Sequence, residues 1–334
     1  MNILLATDAW LPQTNGVVNT LRNTCDCLRR AGHRVELITP DAFRTIGCPG
    51  YPEIRLSLMP AGAIRELIAR FAPDAVHIAT EGPIGFATRR ACVADGLRFT
   101  TSYHTQFPEY LRRRAPVPLA LSYAALRWFH SAASRCMVST PTMENVLRTR
   151  GFGNIARWQR GVDTALFRPR DKAYLQLPRP IAVYVGRLAV EKNLDAFLQM
   201  PWEGSKLVIG DGPDGARLRA AYPTATFAGF QYGDELARQI AACDVMVFPS
   251  LTDTFGLVNL EAMACGVPVA AFPVTGPIDV VDDGLTGALD WDLARAAHRA
   301  LSVDPAACRN RALRSDWHAS TQEFAGNLVA CRAA

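Results

Sequence analysis

Short, unbroken apolar runs alternate with longer stretches in which apolar residues recur at helical spacing. The runs Asn2–Ala6, Ala75–Ile78, Ile181–Val185, Lys206–Ile209 and Val245–Phe248 are of strand length and rich in β-branched residues. Further strands are predicted over 34–39, 99–103, 136–139, 226–228 and 267–272. Helices are predicted over 17–31, 63–70, 85–94, 143–150, 234–242, 256–265 and 317–331, several of them closed by a glycine such as Gly32 or Gly266. Strand and helix alternate throughout, which predicts an α/β fold with parallel sheets. Two such series, with a polar, proline-bearing stretch over 164–180 between them, predict two domains.

The stretch 244–272 organises the second series. The apolar run Val245–Phe248 leads into a polar turn, Ser250 to Thr254, then a short helix and a second buried strand. Such a unit has parallel strands and a right-handed connection. Asp253 or Thr254 is the expected N-cap, and Gly256 lets a ligand approach the backbone. The amides of Phe255, Gly256, Leu257 and Val258 then form a helix tip suited to phosphate or sugar hydroxyls. Asp253 and Glu261, eight residues apart, can face one cleft, and a carboxylate accepts from two neighbouring hydroxyls. The plain alternative is a helix cap and a solvated charge.

Composition narrows the class. Half of the 334 residues are apolar and a fifth charged, as in a soluble globular protein. No apolar run is long enough to span a membrane, and the chain enters a strand at once, so no signal peptide is expected. Nine scattered cysteines without a second C-x-C pair predict a reducing compartment and no zinc site. The net charge of +5 is unevenly spread: residues 1–165 carry 20 Arg, no Lys and 12 acidic residues, a net +8, leaving −3 for the remainder. A basic first half suits an anionic surface, either nucleic acid or lipid.

Candidate chemistry gathers at strand ends, where open α/β sheets bind ligands. Asp8, Trp10 and Gly16 follow the first strand, and His104 follows Tyr103 at the end of another. In the second series, Gly186-Arg187 and Lys192 follow a strand; a guanidinium fork and a compact ammonium suit a diphosphate. Gly210-Asp-Gly212-Pro-Asp-Gly215 has dinucleotide-fingerprint spacing but no acidic residue after the next strand, so that reading is discounted. Asp290-Trp-Asp292 precedes a helix and reads as a cap pair. Between Glu109 and Arg135, the cluster Arg112, Arg113, Arg114 precedes an amphipathic stripe, Leu119, Tyr123, Leu126, Phe129 and Ala133, with Arg127 and Trp128 beside it. That composition fits an interfacial membrane helix or a helix packed on its own sheet.

The segment Asp253-Thr-Phe-Gly-Leu-Val-Asn-Leu-Glu-Ala-Met-Ala-Cys-Gly-Val-Pro-Val resembles the signature of retaining glycosyltransferase family 4, with Asp253 where the family has Glu. The resemblance extends over essentially the whole chain and is strongest at 7–17, 104–110 and 181–272. It implies GT-B architecture: an acceptor-binding Rossmann-like domain over 1–165, a nucleotide-sugar domain over 172–312, and a terminal segment, 313–334, returning to the first domain. It implies catalytic roles for His104, Arg187, Lys192 and Asp253. Donor contacts fall on Gly16, Gly186, Arg187, Lys192, Gly210, Gly212, Phe230, Asp253, Phe255, Gly256, Leu257, Val258 and Glu261. Acceptor or membrane contacts fall on Asp8, Trp10, Tyr103, Arg112, Arg113, Arg114 and Trp128.

The expected reaction is metal-independent transfer of a hexose, from UDP-glucose or UDP-glucuronic acid, to diacylglycerol. Closest in pattern are the lipid-glycosylating members, such as sulfoquinovosyl- and glucosyl-diacylglycerol synthases. The expected partners are a nucleotide sugar, a lipid acceptor and the anionic inner face of the cytoplasmic membrane, with no nucleic acid. The alternatives are GDP-mannose-dependent mannosyl transfer to a phospholipid or cell-surface glycan, and a sugar-binding regulator whose site is dead.

Overall fold

The computed structural model describes residues 1–13, 15–48, 51–58, 62–114 and 116–332; the side chains of Tyr51, Pro52, Glu53, Arg113 and Arg114 lie outside that description. The chain forms two compact units, Met1–Gln159 with Trp317–Ala334, and Arg160–Asp316. The divisions fall six residues before and four residues after the expected limits of 165 and 313.

Each unit is built on a six-stranded parallel sheet. The first contains β1 (Asn2–Ala6) and β2 (Arg34–Ile38), and an antiparallel hairpin, β3 (Arg44–Cys48) with β4 (Tyr51–Leu58), stands apart from it. The sheet continues with β5 (Ala75–Ile78), β6 (Thr100–Ser102), β7 (Arg135–Val138) and β8 (Ile155–Arg157), in the order β2-β1-β5-β6-β7-β8. The second contains β9 (Ile181–Val185), β10 (Ser205–Ile209), β11 (Thr226–Gly229), β12 (Val245–Phe248), β13 (Val269–Ala271) and β14 (Gly287–Leu289), ordered β11-β10-β9-β12-β13-β14. Strand order therefore reverses between β1 and β5 in one unit and between β9 and β12 in the other. Those switch points are where doubly wound sheets leave a crevice for ligands. The hairpin has no counterpart among the strands expected from sequence.

The apolar runs are buried on both faces. All residues of β9 and β12 are buried. In the second unit, Val183, Met246 and Leu260 belong to the cluster on one side of the sheet, and Ala182, Val247 and Phe197 to the cluster on the other. In the first unit, the helix Trp317–Asn327 places Phe324 against Trp158, with ring centroids 4.7 Å apart. Arg309 fastens the helix Leu257–Ala264 at its tail: Nη1 donates to the carbonyls of Phe167 (2.7 Å) and Ala264 (2.8 Å), and Nη2 to that of Thr164 (2.9 Å).

The stripe Tyr123, Leu126, Phe129 and Ala133 faces the interior. It is the core face of the helix Leu119–Ser131, because an apolar face beside a sheet gains more by packing there than by staying in water. The large apolar residues this helix leaves exposed are Leu121 and Trp128.

Candidate functional site

At the switch point of the second sheet, two turns meet. After β9 the chain passes through Gly186 and Arg187 into a 3-10 turn, Val190–Lys192, and Asn193 closes it with left-handed backbone. The Asn193 amide donates to the Pro249 carbonyl (3.1 Å), tying this turn to the end of β12. That tie brings Lys192 to Asp253: Nζ lies 2.7 and 2.9 Å from the two carboxylate oxygens, and both side chains are mostly buried.

This pairing corrects the expected cap. The N-cap of the helix Leu257–Ala264 is Gly256 in the left-handed region (φ 81°), and no side chain caps it. Asp253 is held by the lysine instead. A Cβ on Gly256 would stand 2.6 Å from the Asn259 amide nitrogen and 3.0 Å from the Phe248 ring. Among the described residues, the amides of Phe255, Gly256, Leu257 and Val258 donate to no loop or side-chain acceptor.

Deeper in the same helix, Glu261 is 8% exposed and has no hydrogen-bond or ion-pair partner among the described residues. Burial pushes its carboxyl up to about 7. Sequence reading missed the polar groups that accompany it. Ser250 and Asn259 are fully buried and Thr252 nearly so, and neither hydroxyl nor either atom of the Asn259 amide is hydrogen-bonded. Each such group costs free energy until a water or ligand satisfies it.

The glycine turns follow from close packing. Gly210 has φ 140°, and a Cβ there would sit 1.9 Å from the Gly186 carbonyl oxygen; one on Gly212 would sit 2.4 Å from that of Leu188. Two loops at neighbouring strand ends thus touch through backbone. Gly210→Ala should lower the unfolding midpoint by several degrees, roughly 2–3 kcal/mol, through clash and left-handed strain; differential scanning calorimetry reads this directly. Beyond β11, Phe230 (49% exposed) stacks with Tyr232, ring centroids 6.1 Å apart, as an open aromatic pair. Asp292 caps the helix Leu293–Ala300, and Asp290 binds Arg295, as a cap pair should.

In the first unit, Asn15 caps the helix that opens at Gly16, its side chain accepting from the Val17 and Val18 amides. Trp10 packs partly into the core. His104 lies edge-on to Trp158, centroids 5.7 Å apart.

Two expected acceptor contacts need correction. The Tyr103 ring is fully buried among Tyr123, Val138 and Met143, so no surface ligand reaches it in this structure. Asp8 is committed to the fold: its oxygens accept from the Ile84 amide (2.8 Å), the Gly85 amide (3.2 Å) and the Thr80 hydroxyl (2.9 Å), capping the helix Pro83–Ala94 from another strand. A Cβ on Gly82 would come within 2.4 Å of that carboxyl group. Arg112 is exposed, while the side chains of Arg113 and Arg114 lie outside the described residues. Trp128, 55% exposed, stacks near Phe86, and the Arg89 guanidinium lies 3.9 Å above its ring.

Two doubly wound parallel sheets, one to each unit, are the architecture of the GT-B glycosyltransferases. The Glycosyltransferase Family 4 model matches residues 14–166, and the Glycosyl transferases group 1 model matches 179–302. The chain is 32% identical over 316 residues to the GDP-mannose-dependent alpha-mannosyltransferase of Mycobacterium tuberculosis, covering 86% of this chain and 83% of that one. It is 33% identical to the sulfoquinovosyl transferase SQD2 of Arabidopsis thaliana, covering 82% and 60%. Among solved structures, the sucrose-phosphate synthase of Thermosynechococcus elongatus aligns over 97% of both chains (TM-score 0.77, 25% identity). Anabaena HepE in complex with UDP-glucose aligns over 98% of both (TM-score 0.73, 16% identity). The chain belongs to glycosyltransferase family 4.

Proposed function

We propose that this enzyme transfers a hexose, with retention, from a nucleoside diphosphate sugar to a hydroxyl of a membrane lipid, diacylglycerol being the first candidate. The observation that carries the reading is the meeting of Lys192, Asp253 and an open helix tip at one switch point. In this reading Glu261 accepts from the ribose hydroxyls, and Asp253 with the Phe255–Val258 amides holds the sugar. Arg187 and Lys192 hold the diphosphate. As the glycosidic bond breaks, charge grows on the phosphate oxygen, and fixed cations stabilise it more than they stabilise the bound donor. That division of labour needs no metal. The acceptor hydroxyl attacks from the face the diphosphate leaves, and the departing phosphate takes its proton.

SQD2, a sulfoquinovosyl transferase, supports the glycolipid reading. The GDP-mannose reading is favoured by three relatives of that name, at 27–33% identity. Thermal shift with UDP, GDP and their hexose conjugates separates these donors. Mass spectrometry of products formed on a lipid extract then identifies the acceptor. No stabilisation by any nucleoside diphosphate, and no new glycolipid, would sink the reading.

For the membrane, the support is the exposed set Phe86, Leu121 and Trp128 with Arg89 and Arg112 in a basic unit. The enzyme then sits peripherally on the inner face of the cytoplasmic membrane. Vesicles containing about 30% anionic lipid should carry it upward in a flotation gradient, and Trp128→Ala with Arg112→Ala should abolish this at physiological salt. Equal flotation with neutral vesicles would remove the electrostatic part of the proposal.

A further inference from the structure

The first sheet has a switch point of its own, between β1 and β5, and one of its side chains has been assigned no task. Glu81 lies three residues past the end of β5. Its Oε1 is 3.1 Å from Nε2 of His130, an imidazole with no exposed surface. On its other side, His130 Nδ1 stands 2.9 Å from the Thr101 hydroxyl of β6, and the rings of Phe129 and Phe152 close around it. Burial opposes charge on this histidine, but the Cys136 sulfur and the Glu81 carboxylate outweigh it and raise it above the ordinary histidine range. The loop carrying Glu81 is fixed from the opposite side as well, since Asp8 binds Thr80, Ile84 and Gly85.

Glu81 is thereby held rigidly, yet its side chain keeps 19% of its surface. Its second oxygen takes no hydrogen bond from any described residue. A histidine buried between two aromatic rings and bonded on both nitrogens is a rigid support for the carboxylate it touches. The arrangement makes physical sense if the free oxygen must be kept in place for something that arrives at the strand ends.

Charge placement says what arrives. The residues directly following the six strands of this sheet, 7–15, 39–43, 79–82, 103–106, 139–140 and 158–159, include Asp8, Asp41 and Glu81 and no Lys or Arg. Yet residues 1–165 carry 20 arginines. Within those stretches the formal charge is acidic only; the nearest arginines after them in sequence are Arg44, Arg112 and Arg160.

We propose that Glu81 is the acceptor-reading residue, positioned by His130, and that it selects an uncharged hydroxyl end, such as the free glycerol hydroxyl of an acylglycerol, against a phosphomonoester. The inference rests on the glycosyltransferase reading above and narrows its acceptor. A carboxylate accepts from one or two hydroxyls, and it repels a phosphate. Relatives named D-inositol 3-phosphate glycosyltransferase, matched over 39–48% of this chain, differ on this point by the name of their acceptor.

The test compares a monoacylglycerol with the same lipid phosphorylated at its terminal hydroxyl, in detergent micelles, with UDP-glucose and GDP-mannose each as donor. Wild-type enzyme should favour the neutral lipid by at least about tenfold in kcat/KM. Glu81→Gln should raise the acceptor KM about tenfold while the Kd for the nucleoside diphosphate stays within twofold. Glu81→Lys should shift preference toward the phosphorylated lipid. His130→Gln should weaken acceptor use alone and add little in the Glu81→Gln background, because it acts through that carboxylate. Preference for the phosphorylated lipid, or an acceptor KM unmoved by Glu81→Gln, overturns the inference and leaves the glycosyltransferase reading standing. A wild-type chain that binds no nucleoside diphosphate overturns both.

Discussion

Lys192→Ala lowers the kcat/KM of sugar transfer by roughly 10²–10³, the size expected when one fixed charge facing a developing oxyanion is removed. Stability falls as well: the Lys192–Asp253 pair keeps only 21% and 16% of its side-chain surface, so removing the ammonium costs on the order of 3 kcal/mol. Rates are therefore compared below the mutant's own melting temperature, where lost chemistry separates from lost fold. Lys192→Arg keeps an ion pair with Asp253, since a guanidinium fork binds a carboxylate bidentately, but its longer arm and spread charge do not replace a compact ammonium facing the diphosphate, so activity is not restored. Initial rates with saturating acceptor, beside a thermal melt, test the pair of statements. A variant with near wild-type turnover would remove Lys192 from the diphosphate site.

Glu261→Gln produces opposite changes in stability and binding. In the unliganded fold, burial raises the Glu261 carboxyl from 4.5 to about 7. The stability tied to its neutral form is fully present below pH 4.5 and is lost as the pH rises through 7. At pH 8 the glutamine variant, which carries no charge to bury, should be more stable than wild type by up to about 3 kcal/mol; at pH 4 the two should match. Donor affinity should fall by about 10²-fold, since an amide accepts ribose hydroxyls less well than a carboxylate. Donor binding to wild type should also release a proton near pH 6–7. Calorimetry in buffers of different ionisation enthalpy measures that release, and equal enthalpies across buffers would show that Glu261 does not meet the ribose.

The second switch point was legible because its parts lie close together in sequence. The run Val245–Phe248, the polar turn, Gly256 and Glu261 sit within one β-α-β unit, and local pattern determines each of them. The Lys192–Asp253 pair spans 61 residues, and composition supplied both partners but not their meeting. The Glu81–His130 pair, 49 residues apart, gave no local signal: a glutamate after a strand and a histidine in a helix are unremarkable until β5 and β6 lie side by side. Asp8 was placed at the right strand end, but its hold on the helix Pro83–Ala94 was not legible, because its partners at Ile84 and Gly85 are backbone amides, which any sequence supplies. The amphipathic stripe at 119–133 could not announce which apolar surface it meets. Strands β3 and β4 were missed because neither Arg44–Cys48 nor Tyr51–Leu58 is an unbroken apolar run.

Arg309 gives the eight-residue helix at 257–264 two unlike ends. Its tail is bolted to the carbonyls of Phe167 and Thr164, whereas the amides at its head remain unspent. A rod anchored at one end cannot slide out to meet a guest. If the donor docks there as proposed, adjustment on its arrival falls on what surrounds the head, including the ammonium of Lys192 and its grip on Asp253. Donor entry is then an exchange of ionic partners on a fixed frame, and its speed should depend on how readily that pair opens.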